Sequence, residues 1–136
     1  MLMAERASLV VGDVHEVVVV DNLTRSQIVQ YAGASGDYNP LHTDEIYAVQ
    51  VAGFHSVFAH GMLTMALTGK ALTALFGINN LRRFGGRFKA QVWPGDKLVA
   101  QVSVVSIDAE GAANVAIVTN NQHGVPVFEG SARIHA

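Results

Sequence analysis

The stretch from His60 to Phe76 constrains the fold more than any other part of this chain. It contains no aspartate or glutamate, and Met62, Leu63, Met65, Ala66, Leu67, Leu72 and Leu75 take its apolar residues most of the way round a helical wheel. At ~1.5 Å per residue such a helix is roughly 25 Å long, and Gly77 stands where it should stop. A helix apolar on nearly every side has to be covered, within its own domain or by a second copy. Lys70, Gly69, Thr64, Thr68 and Thr73 make the stretch too polar, and it is too short, to span a bilayer.

The cover follows in the sequence. Leu81 to Val92, Lys97 to Ile107, Ala112 to Asn121 and Val125 to Ile134 alternate or are rich in β-formers. Pro94-Gly95-Asp96, Glu110-Gly111 and His123-Gly124 mark the turns between them. Short turns make successive strands antiparallel neighbours. Gly85-Gly86 suggests a bulge or bend in the first of these strands. Upstream, Glu16 to Asp21 reads as a strand. Thr24 and Gln27 fit a capping box for a helix carrying Ile28, Tyr31 and Ala32, which Gly33, Ser35 and Gly36 weaken and end. A short helix capped by Thr43, with Asp44 and Glu45 in its first turn, is expected next. The economical packing is α+β, a curved antiparallel sheet wrapped around the long central helix, with residues 1–136 forming one domain.

Composition removes several function classes. A formal net charge of −2 gives no reason to expect nucleic acid or a membrane surface. The absence of cysteine rules out a disulfide framework, a thiolate metal site and a cysteine nucleophile. Glu5 and Arg6 interrupt the N-terminal apolar residues, which argues against a secretory signal and makes a cytoplasmic protein the expectation.

The chemically informative segment runs from Tyr31 to His42, YAGASGDYNPLH. Pro40 fixes its own φ and pushes Asn39 towards an extended conformation, so the turn is stiff. A stiff turn flanked by Asp37 and His42 can aim a carboxylate and an imidazole at one water, one removing a proton and the other orienting it or returning a proton to a substrate. Asp, Asn, Pro and Gly are also ordinary turn residues, so spacing alone leaves a purely structural turn open. The second feature is Ala59-His60-Gly61-Met62-Leu63 at the start of the central helix. Free N–H groups and a partial positive charge at a helix N-terminus suit the polarising of a carbonyl oxygen, and one good donor to an oxyanion contributes roughly 3 kcal/mol. Equally, Gly61 permits tight packing at the helix start.

Tyr31 through His42, with Ala48 beyond, resembles the signature of the MaoC-like (R)-specific enoyl-CoA hydratases. His60-Gly61-Met62-Leu63 resembles that family's second block, and the stretch from Phe88 to Asp96 its third. The resemblance implies a hot-dog fold, a homodimer or higher homo-oligomer, and reversible hydration of trans-2-enoyl thioesters of coenzyme A or an acyl carrier protein to (R)-3-hydroxyacyl thioesters, with no cofactor and no metal. Position by position, it places Asp37 and His42 on the catalytic carboxylate and imidazole, Asn39 on the asparagine that holds the turn, and Gly61 on the residue whose backbone N–H binds the thioester oxygen. Gln91, where the family often has proline, and Gly69, where some members have serine, are departures that bear on the acyl pocket or helix packing.

Other readings remain. By resemblance, hot-dog thioesterases and the dehydratases of bacterial type-II fatty-acid synthesis often carry an acidic residue on the central helix, and none stands between His60 and Phe76. A substrate-binding subunit of a heteromeric dehydratase is a further reading, although both Asp37 and His42 are present. A metal site built from His42, His55 and His60 needs a convergence that spacing does not specify. Arg82, Arg83, Arg87 and Lys89 form a basic stretch suited to phosphates or an acidic carrier, or to a solvated strand face.

Overall fold

A computed structural model describes residues 9–135; Glu5 and Arg6 lie outside them. Strand β1 is Val14–Val20 and helix α1 is Arg25–Ser35. A single π-helical turn, Tyr47–Val51, precedes the central helix α2, Gly61–Phe76. Strands β2 (Leu81–Phe88), β3 (Leu98–Ile107), β4 (Ala112–Asn120) and β5 (Pro126–His135) follow. They form one antiparallel sheet in the order β1-β3-β4-β5-β2. This is the α+β hot-dog arrangement expected from the sequence.

The period-two pattern of the strands supplies the inner face of the sheet. Val102 and Val104 of β3, Val115 and Ile117 of β4, and Ile134 of β5 pack with Leu72 and Phe76 of α2. Full burial of one such side chain contributes about 1.5–3 kcal/mol. Thr68 on α2 is fully buried, and its hydroxyl satisfies itself against the Thr64 carbonyl (3.0 Å) and the Thr119 hydroxyl of β4 (2.8 Å). A second cluster lies around the start of α2, where Leu23, Ile28, Ala59, Leu63, Val92, Leu98 and Val127 meet. It fixes the loops that carry the candidate site.

Three local expectations change. First, β2 and β3 are not neighbours: β2 lies at one edge beside β5, and β3 lies between β1 and β4. The reason is tertiary bonding of the segment between them. Ala59 N–H donates to Val92 O (2.8 Å), Gly95 N–H to Leu23 O (2.7 Å) and Leu23 N–H to Asp96 O (2.9 Å), so this segment crosses the end of the sheet. Buried Asp96 braces it, accepting from Trp93 N–H (2.9 Å) and from the Gln122 amide (2.9 Å). Second, Gly85-Gly86 pairs regularly, and the register of β2 shifts between Leu81 and Arg83 instead. Glycine is needed at position 86 because a Cβ there would lie 2.5 Å from Glu129 O and 2.5 Å from the Phe128 ring. Third, Asp44 rather than Thr43 caps the short helical turn, its carboxylate accepting from Tyr47 N–H at 3.1 Å. Within the chain itself α2 is covered on one side: Leu63, Thr64, Thr68, Ala71, Leu72 and Phe76 are buried, while Met62, Ala66, Lys70 and Ala74 are exposed.

Candidate active site

Helix α1 begins with the expected capping box, Thr24 Oγ1 accepting from Gln27 N–H (3.0 Å) and Gln27 Oε1 from Thr24 N–H (2.9 Å). It ends at Gly36, whose φ of 76° is left-handed and whose N–H closes on Ala32 O at 2.9 Å. The chain that leaves it is shaped by its own short side chains. Ser35 Oγ accepts from Asp37 N–H (3.2 Å), Asp37 Oδ1 from Asn39 N–H (3.2 Å), and Asn39 Oδ1 from Leu41 N–H (3.0 Å). His42 N–H then donates to Asn39 O at 3.0 Å. These are turn bonds that Ser, Asp and Asn make well. Asn39 therefore commits its side-chain oxygen to the turn.

The turn brings Asp37 and His42 together. One side-chain ligand atom from each of Asp37, His42 and His60 lies within 4.8 Å of the others. Asp37 is exposed and His42 partly buried. His42 Nδ1 lies 2.6 Å from Phe58 O. A carbonyl only accepts, so Nδ1 carries the proton and Nε2 is left with a free lone pair. Burial lowers the pKa of His42 below the ordinary histidine value. The bond to the Phe58 carbonyl opposes that, neighbouring His60 adds to the lowering, and the Asp37 carboxylate opposes it. The result is an imidazole suited to accepting a proton near neutral pH.

The sequence offered His60 as the residue ahead of Gly61 and as one of three histidines considered for a metal site. In the structure it is buried, and its ring stacks on that of His42 with centroids 3.8 Å apart and planes 26° apart. His55, by contrast, lies against Trp93 at 3.7 Å. The histidines that converge are thus His42 and His60, with Asp37. Zinc wants nitrogen lone pairs aimed at one point about 2.0–2.1 Å away, and lone pairs lie in the ring planes. Two rings packed face to face keep theirs in nearly parallel planes, offset from one another, so this arrangement suits a stack better than a shared ion.

Gly61 is the first residue of α2, so its N–H has no carbonyl to bind within the helix. A Cβ on it would sit 2.9 Å from two atoms of the Phe88 ring. The space a side chain would take is therefore filled by Phe88, and close packing is one reason for glycine here. A cavity of about 320 Å³ opens beside it, lined by Phe58, Gly61, Thr64, Phe88, Gln91 and Val127 among others. Gln91 thus stands in its wall. Gly69 faces a different ring, Phe84, from which a Cβ would be 3.1 Å away. Of the basic stretch, Lys89 pairs with Glu129 at 4.0 Å and Arg82 bonds the Asn79 carbonyl, while Arg83 and Arg87 are exposed. Among the described residues, no helix is long and apolar enough to cross a membrane.

Comparison with known proteins agrees with this architecture. The chain is 37% identical over 89 residues to the 3-hydroxyacyl-thioester dehydratase Y of Mycobacterium tuberculosis, an alignment covering 63% of this chain and 31% of that protein. It therefore spans less than a third of that relative's own length. Among solved structures it is similar to the R-hydratase PhaJ1 of Pseudomonas aeruginosa in its unliganded form, with a TM-score of 0.86, 31% identity, and coverage of 94% of this chain and 82% of that one. The (R)-hydratase of A. caviae involved in PHA biosynthesis gives a TM-score of 0.83 and 27% identity, covering 93% and 96% of the two chains. The family model for the MaoC like domain matches residues 9–125, from just ahead of β1 into the β4–β5 turn and through the whole candidate site. With that span matched and the fold shared, this chain belongs to the MaoC-like (R)-hydratase family.

Proposed function

We propose that this protein reversibly hydrates trans-2-enoyl thioesters to (R)-3-hydroxyacyl thioesters, with Asp37 and His42 activating one water. The observation that carries the reading is the convergence of the Asp37 carboxylate with a His42 ring whose Nδ1–H is committed to Phe58 O. That leaves two acceptors, a carboxylate oxygen and the Nε2 lone pair, for a single water. As water oxygen bonds to C3, a proton passes from the water to this pair. The C2–C3 π electrons move towards C2 and the thioester oxygen, and a proton returned from the pair to C2 completes the addition. Dehydration is the same path reversed. The N–H of Gly61, at the positive end of α2, is the donor assigned to the developing thioester oxyanion. Asn39 shapes the turn through its side-chain oxygen, and no cofactor or metal takes part.

The substrate class assigned is an acyl thioester of coenzyme A or a carrier protein, with residues 1–136 acting as one hot-dog domain in the cytoplasm. A homodimer or higher homo-oligomer accompanies this reading. Two surfaces support it: the exposed side of α2 around Met62, Ala66 and Ala74, and the outer edge of β2. A strand edge presents unpaired N–H and C=O groups that a second copy can use.

The test is turnover of crotonyl-CoA and longer enoyl-CoAs by the purified chain, following loss of the enoyl absorbance, thiol release and product chirality. Hydration to the (R) product without thiol release is expected. Thiol release without hydration would replace the reading with a thioesterase. Activity that arises only when another chain is added would make this a subunit of a heteromeric enzyme. Retained turnover by Asp37→Asn or His42→Ala would remove the assigned pair.

A further inference from the structure

His60 takes no step in the chemistry above, yet it is 2% exposed and touches both residues that do, the Asp37 backbone and the His42 ring. It occupies the N-cap of α2, where Ser, Thr, Asp and Asn are favoured because their side chains bond the first free N–H groups. The His60 side chain makes no such bond. Capping therefore does not explain a histidine at this position.

Its contacts suggest another task. His60 Nε2 lies 3.0 Å from the backbone carbonyl of Asp37. The carbonyl only accepts, so Nε2 must carry a hydrogen. Nδ1 is then a buried atom without a partner among the described residues, and a proton there would be an unsatisfied buried donor, a cost of about 1–3 kcal/mol. One tautomer, Nε2–H with a bare Nδ1, fits the surroundings. The ring is held on both sides, face to face with His42 and edge to face with Tyr31 (4.8 Å, 64°).

We propose that His60 is a positioning residue for the hydration step: its Nε2–H tethers the backbone of Asp37, and its ring face sets the plane of His42. The proposal rests on the hydratase reading. The bonds from Ser35 and Asn39 shape the turn locally, but they do not fix its distance from α2. The bond from His42 Nδ1 to Phe58 O is a pivot, about which the imidazole can still swing. His60 supplies what both lack. Its own carbonyl accepts from Leu63 N–H (3.0 Å) and Thr64 N–H (3.4 Å), so it moves with the helix start. Gly61 is the next residue. One side chain thus links the carboxylate, the imidazole and the oxyanion donor to a single rigid element. Small misplacement of reacting groups is costly, with about 1 Å worth on the order of a hundred-fold.

Two variants and one spectrum test this. His60→Phe keeps a ring face but loses the donor; His60→Gln keeps an N–H near the Nε2 position but loses the ring. In the steady state, His60→Phe is expected to lower kcat roughly 10- to 100-fold with KM little changed. His60→Gln should recover part of that loss. Wild-type kcat in both variants overturns the proposal. So does a loss that follows thermal stability alone, equal in both variants. The second readout is long-range ¹⁵N–¹H correlation on the unliganded wild-type protein, which distinguishes histidine tautomers. It should find Nε2–H at His60 and Nδ1–H at His42. An Nδ1–H tautomer at His60 removes the tether whether or not the protein turns over. If the wild type hydrates no enoyl thioester, the hydratase reading fails and the positioning role falls with it. The spectrum then separates a correct tether from a wrong one.

Discussion

The turn from Asp37 to His42 and the core beneath α2 are built on opposite principles. The core is apolar and interlocked: Leu72 and Ile134 are fully buried, and Val115 nearly so. Its order comes from contacts between residues far apart in sequence. The turn is exposed and polar, and its bonds span two or three residues, as Asp37 Oδ1 to Asn39 N–H and Asn39 Oδ1 to Leu41 N–H do. Among the described residues, its hydrogen bonds to distant parts of the chain go to His60 and Phe58. Stability and chemistry are thereby separated. The core can lose free energy without altering the polar groups, and the polar groups can be neutralised without opening the core.

Several substitutions can break that separation. The largest effect expected is on turnover. Asp37→Asn keeps the size and the oxygen that receives the Asn39 N–H, so the melting temperature should hardly move. Hydration should fall on the order of a hundred- to ten-thousand-fold, the range for loss of an acid–base group. A matching fall in melting temperature would mean that the turn carries stability after all. Leu72→Ala is the reverse case, costing about 2–5 kcal/mol in denaturant unfolding, while the surviving folded fraction keeps its kcat. Gly86→Ala should also destabilise, by about 1–3 kcal/mol, because the new methyl meets the Glu129 carbonyl and the Phe128 ring. If it were neutral, the crowding around Phe128 would not be the reason for glycine there.

Two smaller effects sharpen the comparison at its boundary. Thr24→Ala removes the cap of α1 at about 1 kcal/mol and should leave the Asp37 turn, at the far end of that helix, unaffected in kcat. The last concerns pH. His42 must be unprotonated to accept a proton, and burial, with a lesser contribution from His60, lowers its pKa despite opposing effects of Phe58 O and Asp37. The acid limb of kcat/KM should therefore fall below the ordinary histidine value of about 6.5. A limb above that value would show that the Phe58 carbonyl and the Asp37 carboxylate together outweigh burial.

Much of this was legible in the sequence for reasons of range. The capping box of Thr24 and Gln27, the left-handed Gly36 and the stiff Asn39-Pro40 turn depend on residues within a few positions of one another. The strands announced themselves by alternation and α2 by apolar residues most of the way round, with no acidic residue among them. Where the reading failed, the deciding partner was distant. Pro94-Gly95-Asp96 has the composition of a hairpin turn, but bonds to Leu23 and Ala59 carry its segment across the sheet end instead. Gly86 looked like a bend and is instead a clearance for Phe128. His42 was marked out by its turn, but no local pattern separated His55 from His60; in the structure His60 is buried with Nε2 3.0 Å from Asp37 O, whereas His55 is exposed beside Trp93.

The sequence by itself determined the α+β class, the central helix, the strands and the stiff turn that Asp37 and His42 flank, because periodicity and turn chemistry are local properties of the chain. The tertiary structure alone decided the strand order, the tautomer left on His42 and the placing of His60 between the two polar groups. Those depend on which carbonyl lies opposite which ring nitrogen, and Phe58 and Asp37 reach those positions only when the sheet has closed around α2.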